Sequence, residues 1–258
     1  MTLDQVTEDV VRIGGLEFRG GEGFEGFYLG SDGIVGWDDS PDVRFDSIDR
    51  ANRDGEFEVP VYYGARVLTV SGFCYANSSE KLGYYRDRLM GLTQDLTRVD
   101  VTQHGVTTFG QGAMAAASKF QVDIPGRRAA YQFSRRFPNP LKYGHENHEQ
   151  SDANGFAVVS HYGNTDAASR LVVTGSAPSW DVTARGMTVA VSRALQSGQT
   201  HVYDLRTGVL TINGSQAPAG SLTQADTWTV PAGDSVGFRL HVGSGNGTLD
   251  VYTRDTYI

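Results

Sequence analysis

Between residues 66 and 96 the hydrophobic pattern changes period. Over 66–75, RVLTVSGFCY, Val67, Thr69, Phe73 and Tyr75 alternate with Leu68, Val70 and Cys74, the period of two that a pleated strand imposes. Ser78 or Ser79 can then accept hydrogen bonds from the free amides of a helix start, and Glu80 suits the positive end of the helix dipole. Leu82, Tyr85, Leu89, Leu92 and Leu96 recur at spacings of three and four, which predicts a helix over 82–96 with one apolar stripe. No other stretch carries so strong a helical signal. The unit reads as scaffold, one helix docked on a sheet.

The rest of the chain reads as short strands. Residues 1–9 are polar and acidic, an arm or a frayed end. A strand over 11–19 leads into the glycine-rich 20–36, which lacks the lysine and Ser/Thr of a phosphate loop and reads as turns. Pro41 marks a turn, charges alternate around Val43, Phe45 and Ile48, and Asp54-Gly55 is a tight-turn signal. Residues 97–102 and 106–109 read as a hairpin. The small-residue run 111–118 reads as a strand or turn, and alternation resumes over 120–124 and 127–133. This rhythm predicts an antiparallel sandwich or barrel-like domain over 1–144, ending where Pro138, Pro140 and Gly144 break regular structure. The polar run 145–155 is the expected linker. A second all-β domain, most simply a sandwich, is expected over 156–258. Its predicted strands are 156–161, 171–175, 187–191, 200–205, 209–212, 228–230, 235–241 and 249–252, with Asn213-Gly214 among the turns.

Composition adds constraints. The 258 residues include one cysteine, Cys74, which excludes an internal disulfide framework and reads as a small buried hydrophobe. There is no basic-plus-apolar leader and no apolar run long enough to cross a bilayer, so synthesis in a cytoplasm without membrane insertion is expected. The net charge of −8 argues against a nucleic-acid surface. The charge is divided: residues 1–60 hold 15 acidic and 5 basic side chains, residues 61–140 hold 5 and 10. Such a division can draw neighbouring copies together, acidic segment to basic segment. Candidate acceptors are Asp38, Asp39, Asp42, Asp46 and Asp49; candidate donors are Arg86, Arg88, Arg127, Arg128, Arg135 and Arg136, with strand alternation expected to expose only one of Arg127 and Arg128.

Catalytic chemistry is not legible. His145, Glu146, His148 and Glu149 lack the spacing of a zinc-protease motif, no nucleophile elbow occurs, and no carboxylate pair stands out; neither enzyme activity, metal nor cofactor is expected. Trp180, Trp228 and His201 are candidate glycan contacts on the second domain, weighed against ordinary core packing.

A family resemblance rests on diffuse motifs in a fixed order. In the first half they are Gly64-Ala65-Arg66-Val67 entering a strand, a polar break, the helix with Arg86-Asp87-Arg88-Leu89, the strand 127–133 and the exit 137–144. In the second half they are Gly163-Asn164, Ala177-Pro178 after 171–175, Asp204 within 201–205, the crossing 206–214, Trp228, Pro231-Ala232-Gly233-Asp234, Phe238 and the final strand 249–255. In these features the chain resembles the distal tail (Dit) proteins of siphovirus-type bacteriophages. The resemblance implies a mainly β chain with an N-terminal, ring-forming belt domain and a C-terminal sandwich similar to a galectin or carbohydrate-binding module. It further implies a homo-hexameric ring at the distal end of the virion tail. That ring joins the tail tube protein to the hub or fibre protein and can carry receptor-binding proteins. A carbohydrate-binding adhesion module is the alternative. With the family's ring, the acidic and basic segments are expected to meet head to tail.

Overall fold

A computed structural model describes residues 9–19, 25–45, 47–123 and 126–258. Expectations for the first eight residues, the glycine run 20–24, Asp46 and the Pro125 turn lie outside the described residues. The chain divides into two compact units, residues 1–142 with Ile258, and residues 143–257.

The first unit contains β1 (Val10–Ile13), β2 (Leu16–Arg19), β3 (Gly26–Val35), β4 (Val43–Arg44), β5 (Tyr62–Tyr63), β6 (Arg66–Tyr75), α1 (Ser79–Met90), β7 (Thr97–Gln103), β8 (Val106–Val122) and β9 (Arg128–Phe137). Seven of these strands close on themselves. The order β7-β1-β2-β3-β6-β9 is completed by the long β8, which pairs with β7 through its first half and with β9 through its second. Closure removes exposed sheet edges. The pairings are antiparallel except β2 with β3. Phe18 sits at the centre, its ring 4.8 Å from Phe27, 4.9 Å from Phe133 and 5.3 Å from Tyr131.

β6 keeps the period read from its sequence, with Leu68, Val70 and Cys74 buried and Val67 and Tyr75 exposed. Burial in that apolar interior pushes the Cys74 thiol up to about 12, so it stays protonated and acts as a packed hydrophobe. Ser78 caps α1 by accepting from the Lys81 amide at 3.1 Å. Leu82 and Leu89 of α1 enter the core cluster. The helix stops earlier than its apolar spacing predicts: the Gly91 amide closes the last turn on the Asp87 carbonyl, so Leu92 is buried from beyond the helix and Leu96 stands 58% exposed. Leu96 therefore leaves the scaffold stripe.

Residues 43–45 and 47–63 lie outside the barrel's strand order and form an arm. β4 and β5 pair at its base, Asp49 bridges Glu56 farther out, and Gly55 takes φ +88° at the expected Asp-Gly turn.

The second unit contains β10 (Lys142–Gln150), β11 (Phe156–Ser160), β12 (Ala167–Ser176), β13 (Trp180–Ala184), β14 (Met187–Val191), β15 (Thr200–Asp204), β16 (Val209–Ile212), β17 (Ser215–Gln216), β18 (Leu222–Ala225), β19 (Thr229–Val230), β20 (Ser235–Val242) and β21 (Asn246–Tyr257). They form a sheet ordered β17-β16-β15-β12-β21-β10 and a second ordered β11-β20-β13-β14-β18, while β19 pairs with β12. Their inward side chains make one core around Trp180, Tyr203, Trp228 and Phe238. Asn213 and Gly214 both take positive φ, +48° and +81°, in the β16–β17 turn, as their sequence predicts.

The expected linker 145–155 is corrected. Its first residues lie in β10, beside β21, and are held by polar pairs: Arg254 to Glu146 at 2.7 Å, Asn147 to Asp255 at 2.8 Å and His148 to Asp250 at 2.8 Å. A strand stabilised by polar cross-strand pairs has no apolar alternation to announce it. A broad-specificity protease is accordingly expected to cut the unassembled chain within the arm before it cuts within 143–150, with fragment masses as the readout. Earlier cleavage within 143–150 would contradict this.

Candidate functional site

The chemistry of the first unit gathers at the base of the arm. Gly36 takes φ +86°, and a Cβ there would stand 2.0 Å from the Val67 carbonyl oxygen, so the loop at 36–39 can lie directly on β6 only with glycine at that position. Arg66, at the start of β6 and 2% exposed, reaches under this loop. Its Nη1 donates to the carbonyls of Gly36, Trp37 and Asp39 at 3.1, 2.7 and 2.5 Å, and its Nε to that of Pro140 at 3.1 Å. Lys142 donates to the Trp37 carbonyl at 3.0 Å and lies 3.8 Å from Asp38. Burial pulls both cations below their ordinary pKa, against the charge of Asp38, and for Arg66 also Asp39. The Trp37 ring packs 5.2 Å from Phe137, and its Nε1 donates to Thr108 at 3.0 Å. Just beyond, the Gly64 amide donates to the Asp42 carbonyl at 2.6 Å and fixes the two ends of the arm together.

The expected acidic acceptors cluster here. Asp38, Asp39 and Asp42 are exposed at the arm base and Asp49 is exposed along the arm. The donors divide. Arg127, Arg128 and Arg136 are exposed, so both of the paired arginines reach solvent. Arg127 escapes the expected alternation because β9 begins only at Arg128. Arg135 is removed from the interface: it is 1% exposed and donates to the Thr93 carbonyl at 2.6 Å. It has the inward parity of Tyr131, Phe133 and Phe137, a signal already present in the sequence. Arg86 and Arg88 are exposed on α1 but engaged locally, Arg86 with Asp87 at 2.8 Å and Arg88 with the Tyr84 hydroxyl at 3.0 Å.

The arm carries a feature that charge counting missed. Val43, Phe45, Ile48, Phe57, Val61, Tyr62 and Tyr63 are all between 49% and 63% exposed. Large apolar side chains gathered in one exposed segment mark an interaction surface. Their alternation among charges on both sides of Asp54-Gly55 was the available signal.

The proposed glycan contacts are corrected. Trp180, Trp228 and His201 are 2%, 5% and 0% exposed and belong to the core of the second unit or pack within it. Each sits on the inward phase of a strand or beside one, where an indole is worth most as buried area. Trp180 Nε1 donates to His201 Nδ1 at 3.0 Å, which leaves the proton of the neutral ring on Nε2. On the outer face, Tyr252 is stacked by His148 at 4.3 Å and covered by Arg170 at 4.4 Å, both from its own sheet. No cluster of three or more metal-ligating side chains occurs among the described residues.

Burial holds the His201 imidazole below its ordinary value of 6.5, reinforced by the charge of Arg193. The unfolded chain therefore takes up this proton first, and the fold loses stability as pH falls below about 6.5 toward the lower folded value. Thermal melts across this range are expected to show the loss, and His201→Gln to remove His201's part of the slope. An unchanged slope would contradict it.

No protein-family model matches the chain, and no curated protein matches it significantly. Among solved structures, it is similar to the SPP1 Dit protein (gp 19.1), described as a paradigm of the hub adsorption apparatus in phages infecting Gram-positive hosts. The TM-score is 0.73 at 12% identity, over 97% of this chain and 99% of that one. Two chains of the phage P2 baseplate in its activated conformation, with calcium or strontium, align at a TM-score of 0.49 and 7% identity. They cover 96% of this chain and 97% and 98% of theirs. Closed barrel with one helix, followed by a two-sheet sandwich, the chain has the fold of a phage distal tail protein.

Proposed function

We propose that the chain is a structural component of a phage tail tip, located in the virion at the distal end of the tail. Six copies form a ring that joins the last ring of the tail tube to the hub or fibre complex, and the second unit offers attachment for receptor-binding proteins. The observation that carries this reading is the shared fold over 97% of the chain with a protein of a phage adsorption hub. The exposed arm and the separation of acidic and basic surfaces add to it, because closed rings need two different complementary surfaces on each copy. The role is assembly rather than catalysis. The adhesion-module alternative loses the residues that motivated it, since both tryptophans and His201 are buried.

The test is co-sedimentation of the full chain with the tail tube protein and the hub protein of the same virion. The reading expects a complex containing both partners and six copies of this chain. Binding to neither partner would contradict it.

A further inference from the structure

The chain contains three Asn-Gly steps, Asn154-Gly155, Asn213-Gly214 and Asn246-Gly247, all in the second unit. An asparagine before glycine is chemically labile. Its side-chain carbonyl carbon lies within reach of the next main-chain nitrogen, and glycine has no Cβ to obstruct the approach. Attack needs that nitrogen free to lose its proton and the side-chain amine free to leave. The fold meets these conditions unequally. At the first step the Gly155 amide donates to the Asp152 carbonyl at 3.0 Å, and Asn154 Nδ2 donates to the Asp152 carboxylate at 3.3 Å. At the third, Asn246 and Gly247 lie in the β12–β21 ladder opposite Ser176 and Gly175. The packing there is close: a Cβ on Gly175 would stand 2.4 Å from the Asn246 carbonyl oxygen and 2.9 Å from the Gly247 Cα. At the second step both residues are exposed in the β16–β17 turn. Neither the Gly214 amide nor Asn213 Nδ2 has a hydrogen-bond partner among the described residues, and a Cβ on Gly214 would meet nothing within 4 Å. Asn213 Oδ1 accepts from the Thr200 amide at 2.9 Å.

We propose that Asn213 is a site of spontaneous covalent modification, deamidation through attack by the Gly214 nitrogen. Hydroxide from water removes the Gly214 amide proton, and the nitrogen forms a bond to Asn213 Cγ. The Thr200 N–H, already bonded to Oδ1, stabilises the negative charge that develops on that oxygen. The bond from Cγ to the side-chain nitrogen then breaks, and ammonia leaves with a proton from water, which restores the hydroxide. Water opens the resulting five-membered imide at either carbonyl. Opening at Cγ gives aspartate, opening at the main-chain carbonyl gives isoaspartate, and each product carries one added negative charge. β17, two residues long, ends the strand order of its sheet, so local opening lets the nitrogen approach. Isoaspartate routes the main chain through the side-chain carbon. It thereby lengthens a turn built on φ of +48° and +81° and undoes the pairing of Ile212 with Ser215 and of Thr211 with Gln216. The chemistry is local to this turn and independent of ring assembly.

The experiment ages the full chain in warm, mildly alkaline buffer, once folded and once in denaturant. Peptide mass spectrometry with chromatographic separation of the aspartate and isoaspartate forms follows all three asparagines. In the folded chain Asn213 is expected to convert severalfold faster than Asn154 or Asn246, while in denaturant the three rates converge. Ion exchange should show an acidic form of the intact folded chain accumulating in step with the Asn213 products. Asn213→Gly keeps the turn, because glycine accepts positive φ, and is expected to remove most of that acidic form. Conversion of Asn213 no faster than that of Asn154 or Asn246 in the folded chain would overturn the proposal. So would an acidic form that accumulates equally in the glycine variant, or an Asn213 that reacts only in denaturant.

Discussion

Arg66→Ala is expected to lower the stability of the first unit by roughly 3–5 kcal/mol. The side chain is almost fully buried and satisfies four carbonyl oxygens, those of Gly36, Trp37, Asp39 and Pro140. Each buried acceptor left without a donor costs about 1–3 kcal/mol, less where water can enter the space left behind. The sum is not additive, but three of the four acceptors belong to one loop, and losing them together lets that loop lift from β6. Lys142 retains its bond to Trp37 and its long ion pair with Asp38, which hold the loop only from one side. Arg66→Lys is expected to recover part of the loss, because an ammonium cannot reproduce the planar fork that serves two segments at once. Denaturant melts of the three proteins provide the measurement; a loss under about 1 kcal/mol for alanine would mean the loop is held by other contacts. The same variants should assemble poorly, since the loop leads directly into the base of the arm.

Leu89→Ala is expected to cost about 2–5 kcal/mol, from lost transfer energy and the cavity left behind. Leu89 is fully buried on α1 and joins the core cluster with Phe18, Leu68 and Val99. Leu96→Ala is the internal control, with an expected change within about 0.5 kcal/mol because its side chain is exposed. Comparable losses at both positions would contradict the helix end at Met90.

What could be read from the sequence follows from how each residue is used. The alternation in β6 is visible because one of its faces meets the core, and the Asn213-Gly214 turn because both positions need positive φ. β10 was hidden for the opposite reason: Glu146, His148 and Gln150 pair with polar partners on β21, so nothing in its hydrophobicity distinguishes it from a linker. The helix end was misplaced because Leu92 continues the spacing while packing from outside the helix. Arg66 looked like an ordinary strand residue, since a guanidinium that clamps carbonyls from a distant loop has no local pattern. The candidate surface was legible only as a charge division. Parity would have removed Arg135, and the apolar positions flanking Asp54-Gly55 would have pointed to the arm.

The central claim is that copies of this chain close into a ring through unlike surfaces of the first unit. Imaging of assembled particles by electron microscopy, with class averages sorted by symmetry, tests it most directly. The account predicts closed rings of six subunits. Twofold dimers or open chains would contradict it.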